Sequence, residues 1–184
     1  GEWARADDIL VRKSYSGVIE DAQAALASEP ENARAYESLA EASWLLEDVE
    51  GTLQYAIRAN ELDFTLLRPY YLIGAALIEN EQEAAAVYPL QTWLTYNDED
   101  APSWALLGRA QQAAGNHETA IEIFERVLEL DNKLREVDYY RGLSELELGE
   151  YARAVSSFED AILFFPNWVD PRMQLGRAQF LNGD

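Results

Sequence analysis

The chain has 184 residues, of which 48% are hydrophobic, with 34 acidic and 14 basic side chains and a formal charge of −20. Such a length and apolar content can bury a core, while so negative a surface repels phosphate backbones and anionic bilayers, which argues against nucleic acid as a partner and against membrane insertion. There is no cysteine, which excludes disulfides, thiol catalysis and thiolate metal sites.

In chain order the sequence reads as one repeating helical unit. Gly74, Gly108, Gly142 and Gly176 are spaced by 34 residues, and the same step backward lands on Ala40 and Ala6. Three further series keep that register: Gly115, Gly149 and Gly183; Val18, Thr52, Ala86, Ala120 and Ala154; Ala22, Ala56, Leu90, Phe124 and Phe158. A fixed period of this size is the signature of a stacked repeat. The small residue of each first helix lets a neighbouring helix approach, and the later glycine supplies the turn between paired helices. Pro30, Asp98, Asn132 and Pro166 precede the next unit as breakers or caps, and Pro69, Pro102 and Pro171 stand near the starts of first helices, where a missing N–H costs nothing. Asp170–Pro171 reads as an N-cap followed by a first helical proline.

The predicted units are 1–32, 33–66, 67–100, 101–134, 135–168 and a half unit 169–184. Together they form a single all-α domain of about eleven helices, a right-handed α-solenoid of antiparallel helix pairs. The opening at Gly1 and the stop at Asp184 read as the ends of a piece of a longer protein. The unit at 67–100 is expected to be the least regular, because Pro89 falls inside its second helix, where it deletes a backbone bond. Arg141 and Arg5 are expected to loosen their helices or to lay their stems along the surface.

Chemistry for catalysis is sparse. His117 is the only histidine and shares its repeat position with Tyr15 and Tyr151, so it reads as a packing residue. The glycines are spread 34 apart, not gathered into a phosphate loop. Asp98–Glu99–Asp100 lacks the spacing of a calcium loop and lies where caps belong. The expectation is a protein that is not an enzyme and carries no cofactor and no metal.

The motif Trp104, Leu107, Gly108, Ala120, Phe124, followed by Gly142, Gly149, Tyr151, Ala154, Phe158, Ala161 and Pro166, resembles the tetratricopeptide repeat family. That resemblance implies a concave groove lined by first-helix positions two, five, nine, twelve and thirteen, which receives a protein or peptide. In this sequence the implied lining includes Trp3, Asp7, Arg34, Glu37, Glu41, Trp44, Arg68, Tyr71, Ile78, Arg109, Gln112, Tyr139, Leu143 and Arg177. Aromatic and arginine side chains are the commonest binding hot spots, and an aromatic floor suits a peptide or amphipathic helix. The chaperone-tail-binding subgroup needs a basic, Asn-rich clamp that these positions lack. The other reading is self-assembly, or packing against further domains, through the apolar residues of the last helix. Neither the partner nor the compartment is written in the sequence.

Overall fold

The computed structural model describes residues 2–183, with side chains from Tyr15 onward. Among these residues there are ten α-helices, one 3-10 turn and no strand. The chain divides into two compact units, one ending at Gln82 and one beginning at Glu83, each described by itself.

The first unit holds α1 (Glu2–Ser28), α2 (Ala33–Leu45), α3 (Val49–Leu62) and α4 (Arg68–Glu79). Helix α2 packs on α1, α3 and α4. Its N-cap Asn32 accepts from the Ala35 N–H, and Asp48 caps α3 by accepting from the Gly51 N–H, each satisfying an otherwise orphaned donor. The 34-residue register places a turn near Lys13, but α1 runs through it as one helix. No glycine or proline interrupts the stretch before Gly17, so helix propagation continues.

The second unit holds the 3-10 turn Glu83–Ala86, α5 (Val87–Leu94), α6 (Ala101–Ala113), α7 (His117–Leu130), α8 (Val137–Glu147), α9 (Tyr151–Phe164) and α10 (Val169–Asn182). Helices α6 and α7, then α8 and α9, pack as pairs, and α10 lies on α9. The helix that should start at Glu83 is broken as Pro89 requires. It opens as a 3-10 turn and restarts at Val87, which puts Pro89 in a first turn where its missing N–H is harmless. The restarted helix has 8 residues against 14 in α3, α7 and α9. One expected cap is corrected: α10 begins at Val169 with Trp168 as N-cap, so Asp170 lies inside the first turn. Asp100, by contrast, does cap α6. Its carboxylate accepts from the Ser103 hydroxyl at 2.6 Å and from the Trp93 indole at 3.0 Å.

The core follows the repeat register. Ala56, Leu90, Phe124 and Phe158 are all fully buried. Facing them are the small first-helix residues: Phe124 lies on Gly108, and Phe158 on Gly142. In the first unit two fully buried alanines, Ala40 and Ala56, share one cluster with Leu72. A large residue against glycine and two alanines against each other are two ways to fill similar space at native density.

The inter-helix turns add a point the glycines alone do not reveal. Gly115 and Gly149 adopt φ of 82° and 77°, and Glu81 and Glu47, one and two repeats before Gly115, adopt 57° and 60°. The left-handed turn therefore persists where glycine does not, at a steric cost.

Candidate partner-binding face

In the first unit α2 and α4 pack side by side; in the second, α8 touches both α6 and α10. These first-helix rows carry the expected lining residues. Trp3 and Asp7 lie outside the described side chains.

On the α2–α4 row, Glu41 accepts from Arg68 Nε at 3.0 Å, and the Arg68 guanidinium lies over the Tyr71 ring at 4.6 Å. Arg34 is exposed and stands 3.8 Å from Glu37. Burial pushes the Glu37 carboxyl up from the usual carboxylate range, and Glu41 one turn away adds to the rise. Trp44 and Tyr71 are half-buried against the Ala40–Ala56–Leu72 core, while Leu45 remains 50% exposed. Ile78 is corrected. At 3% exposure it is core, not lining.

On the second row, Arg109 is bridged to Glu83 and lies over the Tyr140 ring at 5.2 Å. Gln112 donates to the Tyr140 carbonyl and the Ser144 hydroxyl, both at 2.8 Å, and so ties α6 to α8. Tyr139 packs against Trp168 at 4.6 Å and against Phe158 at 6.1 Å, with burial raising its hydroxyl pKa. Leu143 is half-buried beside Leu146, Phe158 and Ala178. Arg177 stands 3.8 Å from Glu147. Every lining arginine thus faces a carboxylate of its own unit.

Arg141 departs from expectation in another way. It is neither loose nor laid on the surface. It is 2.9 Å from Asp138, 3.9 Å from Glu145 and 3.8 Å from Asp160, and its Nε donates to Ser157 Oγ at 3.0 Å. Asp138 is fully buried and also meets Arg135 at 2.8 Å; Glu145 is buried, accepts from Ser157 at 2.6 Å and meets Arg153 at 3.4 Å. Burial pushes both carboxyls up, opposed by the flanking arginines. The spacing Asp138, Arg141, Glu145 puts all three on one face of α8, which is the signal by which the sequence could have revealed the cluster. Part of it lines a cavity of about 370 Å³ with Glu125 and Ser156. Among the described residues no group of three or more His, Cys, Asp or Glu is placed to hold a metal ion. His117 opens α7, half-buried, with a buried Nδ1 that lacks a hydrogen-bond partner. No described helix is long and apolar enough to cross a membrane.

Comparison with known proteins gives the same unit. A tetratricopeptide repeat model matches residues 105–171. Superkiller protein 3 of Saccharomyces cerevisiae is 28% identical over 91 residues, which is 50% of this chain but only 6% of that protein. Among solved structures, YrrB, a tetratricopeptide protein described as having an unusual peptide-binding site, superposes with a TM-score of 0.80 at 19% identity, covering 88% of this chain and 83% of that one. MamA of Desulfovibrio magneticus RS-1 gives 0.72 at 18% identity, covering 89% and 92%. These two likenesses establish the all-α solenoid fold and nothing beyond it. The family model, the 34-residue register and the Gly–Phe packing agree that residues 105–171 carry tetratricopeptide repeats, and the chain as a whole is similar to that family.

Proposed function

We propose that this chain is a protein-interaction scaffold, not a catalyst, and that its first-helix rows receive a peptide or amphipathic helix. The observation that carries the reading is the α2–α4 row. Trp44 and Tyr71 are held half-buried by the core beneath them, Leu45 stands half exposed beside them, and charged pairs flank them. Rigid aromatic anchors with a polar rim are what a binding face needs. The buried carboxylates Asp138 and Glu145 are engaged by arginines and a serine, which supports a structural role for them.

Proteins retained by the immobilised native chain are compared with those retained by Trp44→Ala, Tyr71→Ala and the surface variant Leu45→Asp, with helicity checked by circular dichroism. Each truncation should weaken a true ligand by about 2 kcal/mol. Unchanged retention by all three variants would remove the row as the site. A second reading, self-association, is favoured by α10, where Val169, Met173 and Phe180 are 61%, 61% and 79% exposed. Light scattering coupled to gel filtration tests it: a strict monomer at high concentration rejects that reading.

A further inference from the structure

The helices of the row, α2 and α4, carry five charged residues, three carboxylates and two guanidiniums: Glu37, Glu41 and Glu79 against Arg34 and Arg68. Arg68 is held by Glu41 at 3.0 Å, while the exposed Arg34 stands 3.8 Å from Glu37. Glu79 is exposed at the end of α4, and no described basic side chain bridges it. Glu37 is half-buried one helical turn from Glu41, and its carboxyl is held up by burial and by that neighbour, so a second cation beside it would relieve repulsion.

The row also displays, with one of its own side chains, the chemistry it suits. The Arg68 guanidinium lies over the Tyr71 ring at 4.6 Å while Glu41 accepts a hydrogen bond from its Nε. An aromatic face and a carboxylate together make a favourable seat for a cation. An acidic tail would find the Arg68 guanidinium already engaged and would meet Glu37, Glu41 and Glu79. A chain with 34 acidic and 14 basic side chains also steers cationic partners toward itself.

We infer that the partner of the α2–α4 row is a cationic amphipathic peptide, with apolar side chains on Trp44 and Leu45 and arginine or lysine side chains directed to Glu37 and Glu79. This rests on the reading of the row as the binding face and adds the chemistry of what it takes.

The test uses three helical peptides of about 15 residues with one leucine face and a polar face of arginine, glutamine or glutamate. Each is titrated into the whole chain by calorimetry at low and moderate salt, and the bound site is mapped by hydrogen exchange. The arginine peptide should bind at least tenfold more tightly than the glutamine peptide, protect α2 and α4, and weaken several-fold with salt. The glutamate peptide should not bind. Glu37→Gln/Glu79→Gln should lower the arginine-peptide affinity about fivefold or more, and should lower the glutamine-peptide affinity by much less. Equal binding of the arginine and glutamine peptides on α2 and α4 overturns the cationic preference while the row survives as a binding face. Binding of the arginine peptide that ignores Glu37→Gln/Glu79→Gln, or that protects other helices, reflects general attraction to an acidic surface and overturns the inference. Failure of all three peptides overturns both the inference and the row on which it rests.

Discussion

The tightest packing constraint in the second unit is the seat of Phe124 on Gly108, and a single methyl group tests it. A Cβ added at Gly108 would stand 2.7 Å from Phe124 Cδ1 and 2.9 Å from Cζ, and closer still to Cε1. Ordinary carbon contacts need about 3.5–4.0 Å, so the ring would have to retreat by roughly 1 Å. It has little room to do so. Phe124 is fully buried among Ala120, Val127 and Val137, with Trp104 and Tyr140 packed on the same cluster. Overpacking of this kind costs about 1–3 kcal/mol, occasionally more, and the better helix propensity of alanine returns up to about 1 kcal/mol. Gly108→Ala should therefore lose about 1–2 kcal/mol in urea unfolding followed by circular dichroism. Gly176 occupies the same repeat position in α10, but nothing lies within 4 Å of its added Cβ. Gly176→Ala should gain about 0.5–1 kcal/mol, because only the propensity acts. In the double variant Gly108→Ala/Phe124→Leu the loss attributable to the alanine should shrink, since the smaller side chain vacates the clash. If Gly108→Ala is as stable as the native chain, the ring is not confined and the reasoning is wrong.

Three other expectations follow from the geometry. Glu47→Gly and Glu81→Gly should each stabilise by about 1 kcal/mol, because both glutamates hold positive φ; a loss in either would show that the side chain matters more than the backbone. Arg141→Leu should destabilise by about 3 kcal/mol at neutral pH, the low end for stripping one partner from a buried pair, since Arg135 and Arg153 still face the carboxylates. A neutral or stabilising result would make the cluster dispensable. Asp138 and Glu145 have folded pKa values raised by burial, so the folded chain takes up protons before the unfolded one as pH falls. Their contribution is complete below about pH 4 and is lost as pH rises through the raised folded values. Chemical denaturation should therefore show stability rising from pH 7 toward about pH 5, more steeply in Arg141→Leu than in the native chain. A flat profile in both would contradict the burial argument.

The 34-residue register made the helix-pair architecture legible, along with the small-residue seats at Gly108 and Gly142 and the large ones at Phe124 and Phe158. Each of these is a local requirement repeated at a fixed step, and repetition turns a weak preference into a strong signal. The break at Pro89 was legible for the same reason: a missing N–H acts on its own helix whatever surrounds it. The left-handed turns at Glu47 and Glu81 were not marked by residue type, because tertiary packing sets that backbone and glutamate merely tolerates it. The charges were the least legible. The family resemblance implied a lining that holds Arg34, Arg68, Arg109 and Arg177, but only the folded chain decided that Glu37, Glu41, Glu83 and Glu147 face them. It decided likewise that Arg141 is held among Asp138, Glu145, Asp160 and Ser157, and that Ile78 turns inward. A long side chain reaches several neighbours from one backbone position, and which of them it meets depends on how the helices dock, information that no single helix carries.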